Sequence, residues 1–242
     1  MIKKYIRLIY FILIYLIPII IKLKKNNIMR INIFKIKRWH HGFAYFTGIY
    51  YSKEVFIKVD TKLNIMKNDK LVYDLCNDDL GEYLIEILHY SLDSKIQFIV
   101  FKYFHGKELT LNILLKNIPL VNKIMEILNV LNKHKIIHRD IKLNNFLIEN
   151  DKLKIIDFSF AISSINVQFK ELELTKRNNL KILKTLGDNL IPSCFNWDDY
   201  YSLNLIIKQI LSQKKLHNCS NHGLHDYIRK TQQMIGRNVY SI

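Results

Sequence analysis

Residues 138–161 read HRDIKLNNFLIENDKLKIIDFSFA. They set a carboxylate at Asp140, a cation at Lys142, an amide at Asn145 and a second carboxylate at Asp157. Two short apolar runs, 146–148 and 153–156, flank Asn150-Asp151, a pair that favours a tight hairpin turn. A hairpin brings its ends together, so Asn145 and Asp157 are expected side by side although twelve positions apart. This inventory suits phosphoryl transfer. Mg2+ is a hard cation that takes oxygen ligands, and a carboxylate with an amide oxygen supplies them. Asp140 can orient an attacking hydroxyl and accept its proton. Lys142 can neutralise charge on the group being transferred, and in this chemistry positioning and electrostatics carry most of the rate. A core hairpin with incidental polar flanks would not gather its polar residues at one end.

The stretch resembles the protein-kinase superfamily. His138-Arg139-Asp140, Lys142 and Asn145 are similar to its catalytic loop. Asp157-Phe158-Ser159 is similar to its metal-binding triplet, with Ser where the family usually has Gly. The resemblance implies an α+β, two-lobed fold: a smaller lobe of antiparallel sheet plus one helix, and a mostly helical larger lobe, truncated here. It also implies ATP as phosphoryl donor and Mg2+ as cofactor. Asp140 and Lys142 would be catalytic, Asn145 and Asp157 metal ligands, and His138 a structural support.

Other elements must position this stretch. Residues 33–36, 43–51 and 54–59 read as strands, the last two joined through Ser52-Lys53. By resemblance, Lys58 is the strand lysine that holds nucleotide phosphates; on residue chemistry alone it is equally a solvent-facing strand lysine. Gly42 is the one glycine left where the family has a Gly-rich phosphate loop. Residues 64–80 have helical spacing. The family places an acid here to pair with the strand lysine; the helix offers Asp69, about a turn in, or Asp74, and Asp69 is preferred, although it is also readable as a solvated helix acid, while Glu82 and Glu86 are set aside because 83–89 reads better as a strand. Residues 97–104 resemble the strand and hinge between lobes. Phe101 would back the adenine pocket, and Lys102, Tyr103 and Phe104 would offer backbone groups to the base. Residues 119–133 read as a helix with Pro at its start and one buried face. By resemblance Asp199 holds the catalytic-loop backbone; it also fits a helix cap. The family's Pro-Glu ending of the activation segment is reduced to Pro192.

The chain has 242 residues, 49% of them hydrophobic, and a formal net charge of +16. This affords a sizeable core and argues against disorder. Residues 1–29 carry Lys3, Lys4, Arg7, Lys22, Lys24 and Lys25 with no acid, around the apolar run 8–21. At ~1.5 Å per residue that run spans about 21 Å, short of a ~30 Å hydrocarbon core. A short signal anchor is the first reading, an in-plane membrane helix the second and a buried helix the third; Met29 is an alternative start. No nucleic-acid-binding module is evident, so a lipid surface is the preferred partner of the basic charge. Cys76, Cys194 and Cys219 are odd in number and widely spaced, which fits a reducing compartment. His217, Cys219, His222 and His225 could ligate zinc, although a solvated polar tail is the simpler reading.

The expected organisation is a membrane-associating segment at 1–29, a small lobe at 30–104, a large lobe at 105–213 and a basic tail at 214–242. The expected activity is transfer of the ATP γ-phosphoryl to a hydroxyl at the cytoplasmic face of a membrane. The truncated large lobe, the missing Pro-Glu, Ser159 and the membrane-seeking segment look like bacterial kinases of lipopolysaccharide-core sugars, such as the heptose kinases, so a glycolipid is the preferred acceptor. His-Arg-Asp with Lys142 looks like Ser/Thr protein kinases, the main alternative, with a protein hydroxyl as acceptor. A pseudokinase scaffold is the second class: the poor Gly loop favours it, and the intact Asp140, Asn145 and Asp157 oppose it.

Overall fold

The computed structural model describes residues 9, 12–34, 43–172, 179, 182–184, 186, 189–191, 196–216 and 224–236. Gly42, Pro192, Cys194, His217, Cys219 and His222 lie outside the described residues. The chain is α+β, as expected, and divides into two compact units.

The first unit comprises residues 1–66 and 85–104. A π-helical turn, Ile12–Leu16, leads into helix α1, Ile17–Lys25. Five antiparallel strands follow: β1 Ile28–Ile33, β2 Phe43–Tyr50, β3 Lys53–Asp60, β4 Ile87–Ser91 and β5 Gln97–Lys102, in spatial order β1-β2-β3-β5-β4. The β2–β3 turn falls at Tyr51-Ser52, one residue earlier than expected, because Lys53 is already paired with Tyr50. Both turn residues have positive φ, 44° and 66°, as the primed two-residue turns that match strand twist require. Gly48 lets β1 approach β2 closely: a Cβ there would sit 3.0 Å from the Met29 carbonyl oxygen.

Period-two alternation sends Val55, Ile57 and Val59 of β3 to one face of the sheet. Ile19 and Leu23 of α1, one turn apart, pack onto that face with Phe46, Phe98 and Val100. One face of this segment is therefore that of a buried helix, the third of the readings. Two of its apolar residues are committed to the sheet core, and among the described residues no helix is long and apolar enough to cross a membrane. Leu23→Ala is expected to lower unfolding free energy by about 3 kcal/mol, as for other buried Leu truncations, measured by urea denaturation.

The second unit comprises residues 67–84 and 105–242. Helix α2, Met66–Leu80, falls with this unit by its contacts apart from its first residue, whereas the sequence reading placed it with the sheet. The expected strand at 83–89 begins instead at Ile87. Tyr83 lies in the turn after α2, where its carbonyl accepts from Ile155 N at 2.9 Å and its hydroxyl donates to Glu126 at 2.6 Å. Helices α3, Leu111–Lys116, and α4, Leu120–Lys133, follow strand β6, Lys107–Glu108. Helix α4 buries Leu120, Val121, Ile124, Ile127, Leu128 and Leu131, the single stripe its periodicity predicts. Strand β7, Ile136–Ile137, then delivers the chain to His138. Strands β8, Phe146–Glu149, and β9, Lys152–Ile155, form the expected hairpin, with Asn150 and Asp151 both at positive φ. Strand β10, Ile162–Ser163, returns to pair with β7. After β11, Asn189–Ile191, and β12, Asn196–Trp197, the described chain continues into helices α5, Asp199–Leu216, and α6, Leu224–Met234.

Candidate active site

The hairpin does what its sequence asks. Phe146 pairs with Ile155, and one step outward Ile156 N donates to Asn145 O at 2.9 Å. Asn145 thus lies at the hairpin mouth beside Ile156, and Asp157 is the next residue along. The backbone turns sharply there: Asp157 takes a left-handed conformation, φ 71° and ψ 61°, and starts the 3-10 turn Phe158–Phe160. A non-glycine residue held in that region costs of order 1 kcal/mol and is typical of functional positions.

Asp140 is buried and central. Its Oδ2 accepts from Lys142 Nζ at 2.6 Å and from Asn145 Nδ2 at 2.9 Å. Asn145 Nδ2 also donates to the Asp140 carbonyl at 2.7 Å. Both amide hydrogens of Asn145 are therefore directed at Asp140, which orients its Oδ1 as a lone-pair oxygen available to a cation. The other carboxylate oxygen, Asp140 Oδ1, is buried and has no hydrogen-bond partner among the described residues. A buried acceptor without a donor is costly, and an incoming hydroxyl would satisfy it.

The loop that carries Asp140 is held from below. Asp199 accepts from His138 N at 2.7 Å and from Arg139 N at 3.1 Å. The helix-cap role that Asp199 could have filled belongs to Asp198, which accepts from Tyr201 N at 2.9 Å. Arg139 takes positive φ, donates from Nε to Phe160 O at 2.6 Å, and lays its guanidinium 5.0 Å from the Trp197 ring centre. Glu171 stands 3.9 Å from its Nη1.

His138 has no exposure to solvent, and burial lowers its pKa. Asp140 N donates to its Nδ1 at 3.3 Å, and its Nε2 faces the Ile156 carbonyl at 3.2 Å. Only the neutral ring protonated at Nε2 satisfies both contacts. His138 thereby ties the Asp140 loop to the residue preceding Asp157.

Burial pushes the Asp199 carboxyl up to about 7, against the two backbone N–H donors that favour its charge. An acid raised in this way keeps its proton in the folded chain where the unfolded chain has lost it. It contributes stability fully below the ordinary carboxylate value of about 4, and that contribution is lost as pH rises toward about 7. Asp199→Asn has no proton to lose. Its penalty relative to the native chain is expected to be larger near pH 5 than near pH 7.5 by about 2 kcal/mol, read from paired urea titrations.

Helix α2 contributes two residues, one foreseen and one not. Asp69 accepts from Phe158 N at 2.9 Å and from the Ser159 hydroxyl. It therefore caps the turn that follows Asp157, whereas the sequence reading gave it only a lysine-pairing role. Beside it, the two hydrogens of fully buried Asn68 Nδ2 are shared among the carbonyls of Ser159 at 2.9 Å, Ala161 at 3.1 Å and Lys170 at 2.8 Å. Its Oδ1 accepts from Lys170 N at 2.7 Å. Asn68 escaped the sequence reading: nothing local marks it except a buried-face position next to Asp69 in a polar first turn.

In the first unit, Lys58 lies on the central strand β3, on the sheet face opposite α1. It is only 4% exposed, which excludes the solvent-facing reading, and its ammonium stands 5.1 Å from the Phe43 ring centre. At the end of β5, Phe101 is buried. Lys102 N donates to Glu86 O and Tyr103 N to Glu54 O, both at 2.9 Å, so these two amides are engaged within the sheet. Phe104 is half-buried. Asp60 closes the strand by accepting from Lys62, Leu63 and Ile65 backbone N–H groups at 2.8–3.0 Å.

The donor set fits Mg2+: an amide oxygen and a carboxylate at one hairpin mouth. Among the described residues no group of three or more His, Cys, Asp or Glu gathers to hold a metal. A divalent ion here would complete its shell with phosphate and water oxygens, as Mg2+ characteristically does.

A buried carboxylate with an open lone pair, a cation on its partner oxygen, and Asn145 and Asp157 at the adjoining hairpin mouth are groups that suit phosphoryl transfer. The profile of the family described as protein kinase domain matches residues 59–179, half of the chain, and the chain belongs to that family. The match takes in Asp69, Asp140, Lys142, Asn145 and Asp157; Lys58 lies just before it and Asp199 beyond it. A comparison with curated proteins finds no match.

Proposed function

We propose that this chain transfers the γ-phosphoryl of ATP to a sugar hydroxyl of a lipopolysaccharide-core or other cell-surface glycan. The observation that carries the transfer itself is the buried Asp140 Oδ1 without a donor, beside an oxygen whose two donors hold the carboxylate in place. In the proposed reaction Asp140 Oδ1 accepts a hydrogen bond from the acceptor hydroxyl and takes its proton as the oxygen–phosphorus bond forms and the bond from the γ-phosphorus to the bridging oxygen breaks, releasing ADP. Lys142 offsets charge on the phosphoryl oxygens, and Asn145 steadies Asp140. Asn145 and Asp157 would hold Mg2+, which, when bound, neutralises phosphate charge. Lys58 is assigned to the nucleotide phosphates by resemblance, and Phe101, Lys102, Tyr103 and Phe104 to the adenine side on the same ground, the amides of Lys102 and Tyr103 being taken up by the sheet and so not offered to the base.

The sugar acceptor is favoured by departures from the protein-kinase pattern: Ser159 in the metal triplet, and Pro192 without the following Glu. A Ser/Thr protein acceptor is the second reading, favoured by Lys142 two residues after Asp140 and paired with it. Incubation with γ-labelled ATP, Mg2+ and either dephosphorylated core oligosaccharide or casein separates the two. Label in the oligosaccharide is expected; label in casein alone would end the sugar reading. A scaffold would label neither.

A further inference from the structure

Helix α1 and the π-helical turn before it present two faces, and the sheet uses one. Ile19 and Leu23 are buried in the sheet core, and Tyr15 and Leu16 pack partly against it. Leu13, Ile14, Ile17 and Ile21 point the other way and are 61%, 51%, 50% and 49% exposed. Four large apolar side chains on one stripe are more than scattered surface hydrophobics. At helical spacing the stripe continues from Ile17 and Ile21 into Lys24 and Lys25, both exposed. Lys22 does not belong to it: its ammonium turns to Ser94 and the Ile96 carbonyl.

Two exposed lysines, Lys24 and Lys25, close the stripe, and the stretch of sequence that carries it is basic throughout. The chain carries eleven Lys and Arg residues and no Asp or Glu before Glu54. A protein partner with an apolar patch would answer the stripe but not this charge. A second copy of the chain would bring the same positive charge against it. An anionic lipid surface answers both, with acyl chains for the isoleucines and headgroups for the lysines.

We infer that the outward stripe formed by the π-helical turn (Leu13, Ile14) and α1 (Ile17 and Ile21, ending in Lys24 and Lys25) rests in the surface of an anionic bilayer, with the helix in the membrane plane. Ile19 and Leu23 set the depth: a helix that went further in would have to leave the sheet. The enzyme is thus peripheral, docked through its smaller unit on the side of the membrane that holds ATP. The inference is independent of which acceptor is phosphorylated.

The test is co-sedimentation of the full chain with vesicles of phosphatidylglycerol and phosphatidylcholine in equal parts, and with phosphatidylcholine alone. Binding to the anionic vesicles is expected, at least about tenfold stronger than to the neutral ones at low salt. Ile17→Ser with Ile21→Ser is expected to weaken it by about tenfold or more. Lys24→Ala with Lys25→Ala is expected to cut it severalfold, in a salt-dependent way. These side chains are exposed, so thermal unfolding and ATP turnover should not change, which separates failure of this inference from failure of the phosphotransferase reading. Folded native chain that stays in the supernatant with anionic vesicles would overturn it. So would equal binding by the isoleucine variant, or a dimer in gel filtration that dissociates on Ile17→Ser and Ile21→Ser.

Discussion

Asp140→Asn is expected to lower the rate of phosphoryl transfer by about a thousandfold, within the range for removal of a positioned general base. The amide keeps the volume of the carboxylate, so the loop stays folded. It cannot take a proton from the acceptor, however, and it offers Lys142 and Asn145 a neutral partner in place of an anion. The affinity for ATP should hardly change, because Asp140 is proposed to meet the acceptor and not the nucleotide. The signature is therefore a fall in kcat with KM for ATP nearly constant, measured with labelled ATP under saturating acceptor. A fall in ATP affinity with intact turnover would place Asp140 in the nucleotide site instead.

Asn68→Ala is expected to be the most damaging substitution to the site's architecture. It strands the buried carbonyls of Ser159 and Ala161 and removes the partner of the part-buried carbonyl and N–H of Lys170. At about 1–3 kcal/mol for each buried group left unsatisfied, and allowing for partial relaxation, the loss is about 3–4 kcal/mol. That is a large part of the stability of an ordinary domain. Because Asn68 fastens the segment that begins at Asp157, activity should fall further than global unfolding explains. Ser159→Ala, which removes one hydroxyl from Asp69 and leaves the Phe158 amide in place, should cost only about 1 kcal/mol. Urea denaturation of the two variants beside the native chain checks the ranking. Equal and small losses would mean that α2 is held by apolar packing alone.

The hairpin and its mouth were legible because they are local. Asn150-Asp151 prescribes the turn, alternation prescribes the strands, and closure then brings Asn145 to the residue next to Asp157. Helix α4 was legible for the same reason, since its stripe has one period and one face. What the sequence hid is tertiary. An apolar run such as 8–21 does not say whether lipid or protein covers it, and half of its helix is covered by the sheet while half is not. Asp69 reads in the sequence as an acid one turn into a helix, but its partners Phe158 and Ser159 lie about ninety positions away. Asn68 has no local signature, because a buried amide earns its place only from the carbonyls that converge on it. The division of work between Asp198 and Asp199, one capping a helix and one holding a loop, is likewise invisible in the pair Asp-Asp.

The account rests on catalysis at Asp140 beside the Asn145–Asp157 mouth. Its most direct test is transfer of labelled γ-phosphoryl from ATP to core oligosaccharide by the purified full chain, with Mg2+ and with EDTA, for the native protein and Asp140→Asn. Labelled sugar that requires Mg2+ and falls by about three orders of magnitude in the variant is the predicted result. Folded native protein that consumes no ATP with any hydroxyl acceptor, or a variant that labels as well as the native chain, would contradict it.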